Sequence, residues 1–427
     1  MLTALGPRHY AHKLRLALAA AVILSSSARR CADPWPDVCP GAPAGCSAYV
    51  PLAPGANLQQ VRSDLVDALF QYGGGRVTNA TEPDWVVPVA DSSALATRGC
   101  WCSTLGNCDA AACRWQNNLT QLVFALELPL ANGTIVRLNS TAFYSLNTSG
   151  VAPSTYIGEF GPPSFPDTPF PPGQSDTLVI FHNGHNAPCV IPGGDPDYDG
   201  VVDFLNQVGF DVLSLHMPTY QVNAGSGGLP QCDHSYFGVL AAAGAPVFRA
   251  FIEPIVRAVN FAASRNYTKI ALAGLSGGGW STTLGAAIDP RIGLSVPIAG
   301  SLPCDFAEES VDWEQSCSQP WALAANYSTL YALAALEAGR AQVQILHEQD
   351  NCCFHGCGRH DRIRAYGEWV RGAGAGVFET VVTRGNVHEV NNRDRAVLAS
   401  VLDEFRRTGA VSSAFAGALP FNTLKEW

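Results

Sequence analysis

The segment that most restricts this chain is Lys269-Ile-Ala-Leu-Ala-Gly274-Leu275-Ser276-Gly277-Gly278-Gly279-Trp280. An apolar run of strand length enters the turn, and a segment of helical character, Trp280 to Ile288, leaves it. A serine at such a strand-to-helix turn needs very small neighbours, because the backbone bends sharply and side chains would collide. The turn lifts Oγ beyond the end of the strand. It also sets the Gly277 N–H at a helix N-terminus, where it can stabilise a developing oxyanion. Ser276 is therefore the expected nucleophile, and Gly277 an expected oxyanion donor.

From residue 174 onward the same grammar repeats. Apolar runs at Thr177–Phe181, Asp211–Leu215, Lys269–Ala273, Leu294–Ile298, Gln342–Leu346 and Val377–Val382 are expected strands. Helices are expected between them, including Val247–Ser264 and, at the end, Arg393–Arg407. Strands alternating with helices form parallel βαβ units, so the expected fold is α/β, a doubly wound and mostly parallel sheet over 174–427. Seven prolines between residues 152 and 173 exclude a helix or central strand there and mark a linker. Further upstream, apolar residues at 58, 61, 65, 66, 69 and 70 fall on one stripe of an expected helix, Leu58–Phe70. Period-two stretches in 120–145, around Asn132-Gly133, predict a β-hairpin. The region 29–151 is thus a Cys-rich, β-containing extension, either a small module or an addition to the main sheet.

The first 28 residues read as a secretory leader. Arg8, Lys13 and Arg15 precede the apolar run Leu16–Leu24, and Ser25-Ser-Ser-Ala28 supplies small residues for cleavage. That run is too short for a bilayer, which needs about 20 residues. No later apolar run is long enough to span one either, so no membrane span is expected after cleavage. Fourteen cysteines beside such a leader predict disulfides. Cys100, Cys102, Cys108 and Cys113 open with a C-x-C spacing unlike that of common zinc sites, so bridges are expected there as well. Seven N-x-S/T sequons, at Asn79, Asn118, Asn132, Asn139, Asn147, Asn266 and Asn326, predict a glycosylated surface in an extracellular or lumenal compartment. The net charge of −10, without a long basic run, argues against a nucleic-acid partner.

A serine hydroxyl needs a base, and the base needs an acid to orient it. His388, in Asn386-Val-His388-Glu-Val just after the last expected strand, is the expected base. Asp350 closes the preceding strand and is the expected acid, with Glu348 as the main rival and Asp305 as a weaker one. A second oxyanion donor is expected on the loop Phe181-His182-Asn183-Gly184-His185-Asn186, at the His185 backbone or at that of Gly184 or Asn186. The His182 and His185 side chains are expected in loop packing or hydrogen bonding. The acidic insertion between Cys304 and Cys317 sits where a cap would, with Trp313 and Trp321 either lining a pocket or packing. Asp289-Pro290-Arg291 reads as a helix-ending turn. Asp195, Asp197 and Asp199 lack full calcium-loop spacing and read as a solvated turn.

With those residues in place, the chain from about 175 to the end resembles the α/β-hydrolase superfamily, in its Ser-Asp-His esterase, lipase and peptidase branches. The marks are FHNGH for the oxyanion loop, GLSGGG for the nucleophile turn, EQD for the acid and NVHEV for the base. The resemblance implies a serine hydrolase that needs neither metal nor organic cofactor and acts on a small-molecule or polymeric ester. An amide substrate, as in prolyl-oligopeptidase-like peptidases, and a non-catalytic binding module of the same fold are the alternatives.

Overall fold

A computed structural model describes residues 57–70, 85–88, 119–146, 175–185, 200–303, 312–354, 360–417 and 419. All of them belong to the compact unit Ala42–Trp427. The leader, the cysteines at 100–113, the proline-rich segment, Asp195–Asp199, Cys304 and Asp305 lie outside the described residues.

Nine strands form one sheet. In chain order they are β1 (Trp85–Pro88), β2 (Leu119–Pro129), β3 (Ile135–Ser145), β4 (Thr177–His182), β5 (Asp211–Leu215), β6 (Lys269–Leu275), β7 (Ile292–Ile298), β8 (Ala341–His347) and β9 (Val377–Thr383). Their spatial order is β1-β2-β3-β5-β4-β6-β7-β8-β9. The six strands from β5 across to β9 run parallel, and β1, β2 and β3 are attached antiparallel at one edge. Every strand expected downstream of residue 174 is present, with ends shifted by two residues at most. The hairpin also forms, pairing Pro129 with Ile135 across a turn where Gly133 takes a φ of 83°. It extends the main sheet, because Ala142 pairs with Leu215 of β5. That settles, for these strands, the choice the sequence leaves open between a module and an extension.

Both faces of the sheet are buried, which is why its central strands read as unbroken apolar runs. On β4, Val179 and Phe181 enter one core while Leu178 and Ile180 enter the other; on β6, Ala271 and Ala273 alternate likewise with Ile270 and Leu272. Helix α1 (Leu58–Phe70) has the bounds expected of it. Next come α2 (Val201–Gln207), α3 (Ser235–Ala242) and α4 (Arg249–Ser264). Helix α4 covers one face through Ile255, Val259 and Ala262. After β6 comes α5 (Gly277–Ile288), every residue of which is buried. Two further helices, α6 (Pro320–Ala324) and α7 (Tyr327–Ala334), precede β8, and α8 (His360–Ala373) follows it. After β9, α9 (Asn392–Thr408) packs Val397, Leu398, Val401 and Leu402 into the core, and α10 (Ser413–Gly417) follows.

The architecture is the expected α/β class, a doubly wound and mostly parallel sheet. The chain steps from β4 to β5 on one side and returns to β6 on the other. The strand order therefore reverses direction at β4, and sheets of this kind hold ligands at the C-terminal edge of such a switch point. No described helix is long and apolar enough to cross a membrane.

Candidate active site

Ser276 stands at that edge, between β6 and α5. Its backbone takes φ 57° and ψ −126°, in the left-handed half of the map where a side chain costs roughly 1–3 kcal/mol. The conformation is held from both sides. Ser276 N donates to the Ile298 carbonyl at 2.9 Å, and the Ser276 carbonyl accepts from Trp280 N at 2.9 Å. The neighbouring glycines answer to close approach. A β-carbon on Gly278 would collide with the His182 carbonyl oxygen, and one on Gly184 would fall 2.8 Å from Ser276 Cβ and 3.2 Å from Gly277 N. The β4 loop is thus laid directly on the serine turn. Among the described residues, no acceptor takes the N–H of Gly277 or of His185.

Asp350 and His388 are brought together two and three strands away. Asp350 Oδ2 lies 2.7 Å from His388 Nδ1. Its other oxygen accepts from Cys352 N at 2.7 Å and Cys353 N at 3.1 Å, in a turn where those two cysteines form a disulfide with each other. The Asn351 side chain accepts from His388 N at 3.0 Å, so the Asp350 and His388 loops are tied twice. Burial would raise the Asp350 carboxyl, but His347, His388 and the turn's N–H groups hold it far below the usual range. Glu348, the rival acid, uses its backbone N–H to bond the Thr383 carbonyl at 2.8 Å, and its carboxylate makes no hydrogen bond to His388. Asp305, the weaker rival, lies outside the described residues. His388 Nε2 is buried and unpaired, and no hydrogen bond joins it to Ser276 Oγ.

Sequence reasoning missed a second layer behind this pair. His347 lies between two carboxylates, with Nε2 2.9 Å from Asp394 Oδ2 and Nδ1 3.5 Å from Asp350 Oδ2, the latter close but not aligned for a hydrogen bond. Asp394 is pinned by Thr383 Oγ1 at 2.7 Å and by the capping box it forms with Asn391 at the start of α9. The only signal in the sequence was Asn391 set three residues before an acid.

A third group surrounds His185. Its ring sits against Gly277, with Nε2 3.0 Å from His234 Nδ1 and 3.1 Å from Glu314 Oε1. His234 Nδ1 is 2.9 Å from Glu314 Oε2, and His234 Nε2 is 2.8 Å from the Pro218 carbonyl. On its far side, His185 Nδ1 lies 3.0 Å from Asp312 Oδ2, a close pair that is not aligned as a hydrogen bond. Burial pushes the His185 ring towards neutrality, but Glu314 and Asp312 outweigh it and raise its pKa. Burial likewise opposes ionisation of Glu314, yet the two imidazoles hold its pKa well below the usual range. The His185 side chain is thus hydrogen-bonded to His234, with two carboxylates of the cap insertion beside it. His182 is buried with Nδ1 2.8 Å from the Asn183 carbonyl, and desolvation lowers its pKa to about 3. Trp321 is fully buried and edge-on to Trp280, while Trp313 stacks on Phe248; in these contacts both pack.

No family model and no curated protein matches the chain. Solved structures do match. An esterase of Pyrococcus furiosus aligns at 13% identity over 67% of this chain and 92% of its own, with a TM-score of 0.37. A methylesterase aligns at 15% identity over 84% of this chain and 65% of its own, with a TM-score of 0.48. An acylaminoacyl peptidase of Pyrococcus horikoshii aligns at 11% identity over 67% and 41%, with a TM-score of 0.39.

Proposed function

We propose that this chain is a secreted serine hydrolase that cleaves carboxylic esters through an acyl-enzyme intermediate. The observation that carries the reading is a strained serine after β6 and a hydrogen-bonded Asp350–His388 pair after β8 and β9, all on one edge of a parallel sheet. In this reading His388 Nε2 takes the Ser276 proton as Oγ attacks the ester carbonyl, and then passes it to the leaving alcohol. Asp350 fixes the tautomer and stabilises the imidazolium. The free N–H groups of Gly277 and of the His185 region hold the oxyanion. Water then attacks the acyl-serine through the same base. The absence of a Ser276–His388 hydrogen bond fits a resting site, since such contacts often tighten only with substrate bound. Exposure of Asn132, Asn139 and Asn266 is compatible with glycosylation, whereas Asn326 caps α7 through its side chain.

The test is activity-based labelling of the purified mature protein with a fluorophosphonate, beside turnover of short-chain aryl esters and of amides. Labelling and ester turnover, both abolished by Ser276→Ala, are expected. Turnover unchanged by that substitution would overturn the mechanism. A well-folded wild type inert on both panels would point to the binding module instead.

A further inference from the structure

We propose that His185, His234 and Glu314 form a binding site for one divalent transition metal of the zinc type, beside the nucleophile turn. The three donors come from three separate segments: the loop after β4, the residue before α3 and the short turn Trp313–Gln315 in the cap insertion. His185 Nε2, His234 Nδ1 and the Glu314 carboxylate form a triangle of groups: the two nitrogens are 3.0 Å apart, His234 Nδ1 is 2.9 Å from Oε2 and His185 Nε2 is 3.1 Å from Oε1.

The cluster is crowded: with a proton on each imidazole, two N–H groups lie only 3.0 Å apart while both are drawn to one carboxylate. A cation above the triangle is attracted to all three donors at once, and a dication supplies the same charge as two imidazolium protons.

The surroundings fit a metal as well. The distal nitrogen of His234 faces Pro218 O at 2.8 Å, which is how a ligating histidine is oriented with its metal-facing nitrogen left bare, while the Asp312 carboxylate stands 3.0 Å from the distal nitrogen of His185 without the alignment of a hydrogen bond. Zinc bonds of about 2.0–2.2 Å in tetrahedral geometry set neighbouring donors about 3.3 Å apart, so the site would open by only a few tenths of an ångström. Two imidazoles and a carboxylate suit zinc, cobalt or ferrous iron better than calcium or magnesium. Glu314 is fully buried and the His234 and His185 side chains are 3% and 10% exposed, so the donors are already desolvated. A bound ion would tie the oxyanion loop to the cap insertion.

The experiment strips purified full-length protein with a chelator, adds cobalt(II) or zinc(II), and reads metal per chain by elemental analysis and cobalt d–d absorption. Neither readout depends on hydrolytic activity. About one ion per chain is expected, with Asp312→Asn lowering affinity about 10–100-fold. Glu314→Gln, which keeps the side-chain shape, should lower it further, and His234→Asn likewise. His388→Ala should leave the stoichiometry unchanged. No uptake by folded wild type would overturn the proposal. So would uptake that survives Glu314→Gln, or that is lost with His388→Ala, because the ion would then sit elsewhere.

Discussion

His347 Nε2 lies 2.9 Å from Asp394 Oδ2, and both side chains are sealed from solvent. Desolvation disfavours the imidazolium, but Asp350 and Asp394 outweigh it and raise the His347 pKa from 6.5 to about 9. A raised folded pKa contributes stability that is fully present below the unfolded value and is lost as pH rises through the folded one. Melting temperature should therefore fall between pH about 6.5 and 9, by a free energy on the order of 3 kcal/mol. Thermal scans across that range check it. In His347→Asn the same decline should flatten, and a decline of unchanged slope would remove His347 as its source.

Arg62 on α1 donates to the carbonyls of Ala287 and Leu333 at 2.9 and 3.1 Å and to Glu337 at 2.7 Å. It fastens the upstream helix to the ends of α5 and α7. Arg62→Ala leaves two buried carbonyls without that donor, while Glu337 keeps Arg340 at 2.7 Å. Urea unfolding should show a loss of roughly 2 kcal/mol or more. A change within error would mean that α1 contributes no stability through this residue.

How far this could be read in advance follows from where the contacts lie in the sequence. The serine turn, the six strands beyond residue 174 and α1 are local patterns, in which apolar period and glycine placement carry the information. Asp350 and His388 were legible because each closes a strand, and strand ends are local too. The His185–His234–Glu314 group was not, since its members lie 49 and 80 residues apart and meet only when the cap insertion folds back. No period or spacing marks such a meeting. The attachment of the hairpin to the main sheet was equally hidden, because the pairing of Ala142 with Leu215 is a tertiary choice.

Gly278 is fixed by the His182 carbonyl, which a β-carbon at that position would strike. Because the obstacle is backbone, Gly278→Ala must separate the β4 loop from the serine turn. A destabilisation of at least roughly 1–3 kcal/mol is expected. Ester turnover should fall with it, because the proposed oxyanion donors sit on these two segments. Denaturant melts and kinetics on the folded fraction test both halves. Wild-type values in both would show that the turn tolerates a side chain there.

Asp350→Asn and Glu348→Gln separate the two acid candidates. In the first, the atom facing His388 Nδ1 becomes an amide, which either donates to that nitrogen or leaves its N–H poorly paired. The imidazole then favours the tautomer that presents N–H, not a lone pair, towards the serine. A loss of about 10⁴-fold in kcat with little change in KM is expected for a substitution of this kind. Because Asp350 is held ionised far below the usual carboxylate range, its loss also lowers stability at neutral pH, and rates must be scaled to the folded fraction. Wild-type stability from this group should itself decline as pH falls through the carboxylate range, where the unfolded chain takes up the proton first. Glu348 makes no hydrogen bond to His388, so Glu348→Gln should keep kcat within about threefold, the effect of an uninvolved surface group. The reverse outcome, an active Asp350→Asn beside an inactive Glu348→Gln, would move the acid two residues back along the strand.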